Sequence, residues 1–151
     1  GQALRGCKME ALGCMDYVAV ARADFAAQHL PKGLNAHNFH KVPFVAFNRK
    51  DNLQHGFVMK AFGLPRVMLK QLFVPASEGQ VRAVQAGWGV SVLPELRVRE
   101  LIESGELVNL APRHRLGVAL YWHCWNLSSD VLDALSKALR TAAADNLRPA
   151  N

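Results

Sequence analysis

Short apolar runs and stretches of helical periodicity alternate along this chain. The runs at 16–21 (DYVAVA) and 43–48 (PFVAFN) read as buried strands, and 67–74 (VMLKQLFV) as a third. Between them, 24–29 (DFAAQH) makes a short helix halted by Leu30-Pro31-Lys32-Gly33, and Asn35 can cap a helical turn over 35–40. Asp51 heads a helix in which Leu53, Phe57, Val58 and Phe62 keep helical spacing and Gly63 supplies the stop. A helix from Ser77 to Ala86 is followed by a strand from Gly89 to Leu93. Pro94 then opens a helix that ends before Gly105. Strands follow at 106–110 (ELVNL) and 118–125 (VALYWHCW). The last helix spans 129–144, its apolar stripe carried by Val131, Leu135 and Leu139 among others. Strands alternating with short helices predict an α/β protein with a mainly parallel sheet. Two features fit poorly: the first strand has no helix before it, and the final amphipathic helix needs a surface to cover.

Composition narrows the picture. With 151 residues, half of them hydrophobic and a fifth charged, the chain can bury a sizeable core as one domain or two small lobes. No apolar run approaches the roughly 18 residues that span a bilayer, and the start does not resemble a signal peptide. The net charge of +6 invites a nucleic-acid reading. Its basic residues are scattered, however, and the nearest cluster, Arg97/Arg99, is followed at once by Glu100, Glu103 and Glu106. Three cysteines without a C-x-x-C pair suit neither a disulfide framework nor a zinc ribbon, and point to a reducing, cytoplasmic setting. Six histidines lack HExxH or Cys/His spacing, so neither a metal nor another cofactor is expected.

The richest segment is 74–96, VPASEGQVRAVQAGWGVSVLPEL. Ser77 and Gln80 form an S-x-x-Q pattern, which predicts a capping box. A serine nucleophile would need a G-x-S-x-G turn with a base and an acid elsewhere, which Ala76-Ser77-Glu78 does not supply, and no enzyme is expected. Gly87-Trp88-Gly89 follows the helix instead of preceding it, so it is a helix stop and not a phosphate cradle. The start of this helix, with Glu78 beside it, offers free N–H groups to a carboxylate and a negative charge to an ammonium or guanidinium group. Asp51 holds the equivalent place one unit earlier. A helix cap explains it fully, and a cleft shared with Phe47, Asn48, Ser77 and Glu78 is the functional alternative.

Together these segments resemble the effector-binding domain of LysR-type transcriptional regulators. The resemblance rests on ALGCMDYVAVARADFAA, FNRKDNLQHGF, ASEGQVRAVQAGWGVSVLPEL, RELIESGELVNLAP and LYWHCW. AGxGxxxLP is general to the family. The combination of F-x-x-x-D, S-E, S-G-E-L-V-x-L-x-P and L-Y-W-H points to the arginine/lysine-responsive branch, whose members were also described as inhibitors of chromosome replication initiation. The resemblance implies two Rossmann-like, periplasmic-binding-protein-like subdomains. The second would be complete over 22–120. Residues 1–21 and 121–151 would be the remnant of the first, including the crossover strands, and the winged helix-turn-helix would be absent. It implies a small-molecule effector, lysine or arginine, bound between the subdomains, DNA contact through the missing N-terminal module, a homo-oligomer, and no membrane. Ser77 and Glu78 match the branch's S-E, and Asp51 the first acid of its D-D pair, with Asn52 in the second place. Gln80 replaces an aromatic residue. A solute-binding receptor of the periplasmic type, which shares the two-lobe plan, is the alternative.

Overall fold

In the computed structural model, which describes residues 5–149, the chain divides into two compact units, 17–116 and the pair of segments 1–16 and 117–151. The element order is β1 (Cys7–Arg22), α1 (Ala23–His29), β2 (Pro43–Ala46), α2 (Leu53–Phe62), β3 (Lys70–Phe73), α3 (Ser77–Gln85), β4 (Ser91–Pro94), α4 (Glu95–Glu103), β5 (Leu107–Asn109), β6 (Leu116–Trp125) and α5 (Asp130–Asn146). β1 is long because it passes from one unit into the other, whereas β6 starts at Leu116, the last residue of the unit 17–116, and runs on in the second; the two strands pair. The predicted lone strand at 16–21 is therefore the end of a strand that starts at Cys7. Its first half mixes Lys8 and Glu10 with apolar residues and gives no clear period.

Within the unit 17–116, β2 and β3 are parallel, whereas β1 runs antiparallel to both β4 and β5. A mainly parallel sheet was the expectation. The sheet is mixed because β1 is a crossing strand and not the product of a β-α-β step. β2 also meets the entry to β4 in parallel through a single bridge, Phe44 opposite Val90, the residue before β4. The chain thus leaves β2 through α2 to β3 on one side, and returns through α3 to β4 on the other. That reversal of direction is a topological switch point.

Alternation along β1 builds two cores. Ala19 and Ala21 face a cluster with Phe44, Phe57, Val58, Val90 and Val92. Val18 and Val20 face the opposite cluster with Val81, Val84, Leu93, Val98 and Leu107. The sheet is consequently apolar on both sides, with α2 covering the first face and α3 and α4 the second.

Local stops follow the sequence closely. The C-terminus of α3 is a Schellman motif, with the Gly87 N–H donating to Val84 O at 2.9 Å and the Trp88 N–H to Ala83 O at 3.0 Å, and Gly87 at φ 78°. Pro94 ends β4 and is the N-cap of α4, one place before the first helical position expected of it. Asn35 caps a helical turn as expected, its Oδ1 accepting the His37 N–H at 2.9 Å and its carbonyl the Phe39 N–H at 3.4 Å, and the turn runs into a short 3-10 helix at Phe39–Lys41. β3 is shorter than the run that predicted it, and Leu72 and Phe73 are exposed.

In the second unit α5 is capped by Ser129, whose side chain accepts the Leu132 N–H. It is tied to the strands by Trp122 Nε1 donating to Ser136 Oγ at 3.0 Å and by a bidentate Arg140–Glu10 pair. Val131 and Leu135 remain exposed.

Gly89 controls the junction between β2 and β4. Its φ is 156°, and a Cβ there would lie 2.3 Å from the Pro43 carbonyl oxygen, the acceptor of the Val90 N–H. Gly89→Ala is expected to destabilise the protein by ~2–4 kcal/mol, read as a lower urea midpoint with an unchanged slope.

Candidate functional site

A cleft of about 490 Å³ opens at the carboxyl ends of β2 and β4, entirely within the unit 17–116. Phe47 and Asn48 follow β2, Asp51 and Leu53 lie at the start of α2, Ser77 and Gln80 belong to the first turn of α3, and Val92 to Pro94 form the end of β4. Tyr17, Lys50, Asn52 and Arg97 complete the charged and polar lining. Sheet divergence puts the cleft here, since the strands that flank a switch point send their loops in opposite directions.

The local sequence shapes each wall. Asn48 Oδ1 accepts the Lys50 N–H at 2.8 Å, which folds the loop after β2. Asp51 then spends both carboxylate oxygens on the backbone: Oδ2 accepts the Phe47 N–H at 2.9 Å and Oδ1 the Leu53 N–H at 2.9 Å. Asp51 therefore caps the start of α2 although Asn52 is the N-cap and makes no side-chain cap bond. A carboxylate has about four acceptor positions, so the fixed charge can still receive a ligand's donors. Tyr17, half-buried beside it, has its phenol pKa raised by burial first and by the Asp51 charge second.

The capping box expected at Ser77 is not formed. Ala76 is the N-cap of α3, so Ser77 is the first helical residue and makes no side-chain cap bond. Gln80 cannot reach back because its side chain is buried and donates through Nε2 to the Val45 carbonyl at 3.4 Å. The Ser77 hydroxyl is thereby released to the cleft wall, and the first-turn N–H groups of α3 have no capping side chain. Of the five residues singled out in the sequence, Phe47, Asn48, Asp51 and Ser77 line one cleft. Glu78 does not: it is exposed and faces Arg82 across one helical turn at 3.7 Å. The i,i+4 spacing to Arg82 was visible in the sequence and predicts that orientation. Gln80, noted in the sequence as standing in place of an aromatic residue, also lines the cleft, whereas Tyr17, Lys50 and Arg97 were not singled out. Arg97 was read only as part of a solvated face, and Tyr17 lies on the crossing strand, which periodicity alone assigns to the core. Among the described residues, no group of His, Cys, Asp or Glu could hold a metal, and no helix is long and apolar enough to cross a membrane.

Residues 4–144 match the LysR substrate binding domain model. The chain belongs to the LysR substrate-binding domain family. It is 37% identical over 142 residues to the HTH-type transcriptional regulator ArgP of Pseudomonas aeruginosa, covering 94% of this chain and 47% of that protein. The crystal structure of ArgP from Mycobacterium tuberculosis superposes with a TM-score of 0.90 at 34% identity, over 99% of this chain and 51% of that one. Full-length LysG from Corynebacterium glutamicum, solved with arginine bound as effector, gives a TM-score of 0.80 at 27% identity, over 99% and 50%. The chain spans about half the length of the curated relatives it matches. Its periplasmic-binding-protein-like fold is shared with these LysR regulatory domains.

The Asp51–Tyr17 coupling has a spectroscopic consequence. Asp51→Asn removes the charge that disfavours the phenolate, so the Tyr17 pKa should fall partway toward its ordinary value, burial holding the remainder. With Tyr121, the other tyrosine, replaced by Phe, phenolate absorbance during alkaline titration reads this shift directly.

Proposed function

We propose that this chain is the effector-sensing part of a LysR-type transcriptional regulator, and that its cleft takes an amino acid, a basic one by preference. The observation that carries the reading is Asp51: a carboxylate locked by two backbone N–H groups at the mouth of a cleft whose other wall is a helix start without a side-chain cap. Such a pair suits a zwitterion with a cationic side chain. The helix start favours the carboxylate end, and Asp51 a guanidinium or ammonium group. Arginine bound to LysG, a structural relative, supports the same ligand class. Phe47, Asn48, Asp51 and Ser77 are the contact residues we assign, and Glu78 stays outside, engaged with Arg82.

In this reading the unit 17–116 is the second subdomain of the effector domain, and the segments around it are part of the first. The chain performs no chemistry. The effector changes the balance between two arrangements by binding one of them more tightly. DNA contact belongs to the portion of the relatives beyond the half matched here, and the setting is cytoplasmic, as regulation of transcription requires.

An NMR titration of the isotope-labelled protein with arginine, lysine and leucine tests the assignment. Saturable shifts at Phe47, Asn48, Asp51 and Ser77 are expected with the basic amino acids, and Asp51→Ala should weaken them about tenfold or more, the worth of one lost charge-assisted bond. Shifts that do not saturate, or affinity unaltered by Asp51→Ala, would overturn it.

Homo-oligomerisation is the second part of the proposal. Val131 is 76% exposed and Leu135 45% on α5, a stripe that suits a neighbouring copy. Val131→Glu/Leu135→Glu is expected to shift sedimentation toward the monomer, and an unchanged profile would count against this face.

A further inference from the structure

β2 and β4 make one complete parallel rung and then part. At that rung the Val90 N–H donates to Pro43 O at 2.9 Å and the Val45 N–H to Val90 O at 2.7 Å. Parallel pairing repeats every two residues, so the next rung would join the Val92 N–H to Val45 O and the Phe47 N–H to Val92 O. Neither bond exists, yet each of the four groups has a partner, and every partner is a side chain. Gln54 Oε1 accepts the Val92 N–H at 2.8 Å, and Gln54 Nε2 donates to Val92 O at 3.2 Å. Val45 O accepts from Ser91 Oγ at 2.6 Å and from Gln80 Nε2 at 3.4 Å, which fills both lone pairs of that carbonyl. The Phe47 N–H goes to Asp51 Oδ2 at 2.9 Å.

A buried backbone donor or acceptor must be paired, so strands cannot separate inside a protein unless something replaces the lost bonds. Here four side chains from α2, α3, β4 and the loop after β2 replace one whole rung. Gln54 matters most. It is fully buried, and its primary amide presents an acceptor and a donor to one residue, as a neighbouring strand would.

We propose that Gln54 is the positioning residue of the cleft: its amide takes the place of a strand beside Val92 and keeps β2 and β4 apart, so that the cleft stays open. Without it, the Val92 N–H and C=O are left unpaired in the interior, and the groups opposite them in the parallel register are Val45 O and the Phe47 N–H, which would exchange their side-chain partners, the long bond from Gln80 Nε2 at 3.4 Å and the bond to Asp51, for the strand. Pairing with them adds the missing rung, draws Phe47 and Asp51 toward β4 and closes the cleft. The link to ligand affinity rests on the amino-acid reading above, whereas the strand geometry does not.

Gln54→Met conserves length and volume and removes both bonds. In isotope-labelled protein, scalar coupling across the hydrogen bond should appear between the Val92 N–H and Val45 C=O, while the Val90–Pro43 coupling persists. Arginine affinity should fall at least tenfold. Gln54→Glu, which keeps the acceptor for the Val92 N–H, should show no new coupling. If Gln54→Met does not fold, Gln54→Asn, one methylene too short to reach both Val92 groups, carries the same expectation. Absence of the new coupling in a folded variant overturns the inference. Its appearance in a protein whose wild type binds no amino acid leaves the positioning role standing and removes the effector reading. Its appearance with wild-type arginine affinity overturns the link between the two.

Discussion

The architecture of this protein turns on one rung of hydrogen bonds that is not made. Parallel strands β2 and β4 could continue to pair beyond Val90, and the two apolar faces of the sheet would favour it. Instead Gln54, Gln80, Ser91 and Asp51 satisfy the four backbone groups that the strands would have shared. The cleft is the space that this substitution leaves. Asp51 and Gln80, two of those four side chains, are part of its polar lining, Gln54 and Ser91 lie buried behind it, and Val92 to Pro94 line it from the end of β4. Core packing and the cleft are thus two results of one arrangement: α2 is held against β4 by Phe57 and Val58 on its apolar face, and by Gln54 where that face meets the strand ends.

Charge follows from the same geometry. Asp51 is fixed by its bonds to Phe47 and Leu53, so its carboxylate keeps little conformational freedom. The fixed negative charge is felt by the Tyr17 phenol, which belongs to β1 and therefore to the strand leading out of the unit. A charged residue of the cleft is thus electrostatically coupled to the connecting strand itself.

Much of this could be read from the residues. Every helix and strand over 16–125 was marked by period, Gly stop or Pro, because each element carries its own punctuation. The family signature lay in stretches where turns and helix starts impose a residue type, such as AGxGxxxLP with its Gly87 at positive φ. Polar residues were harder. Ser77 followed by Gln80 fits a capping box, but one residue of shift in the helix start cancels it, and helix starts are uncertain by that much. Gln54 could not be distinguished from a surface glutamine, since its burial depends on the Val92 amide and carbonyl 38 positions away, and nothing about Gln80, noted only as a capping partner and as a replacement for an aromatic residue, indicated a bond to the Val45 carbonyl 35 positions away. The antiparallel placement of β1 was equally hidden, because alternation is the same for either strand direction.

β1 carries a further constraint. Its residues 18 and 20 serve one core, and 19 and 21 the other, within a sheet covered on both faces. The two sets differ in size: valines toward α3 and α4, alanines toward the bulkier Phe44 and Phe57. Loss or gain of one residue in this stretch would send the valines against the phenylalanines and the alanines into the space left on the opposite side, crowding one core and hollowing the other. Natural variation here should therefore be confined to exchanges of like-sized side chains, and changes of length should collect in the loops between strands and helices, where no such frame exists.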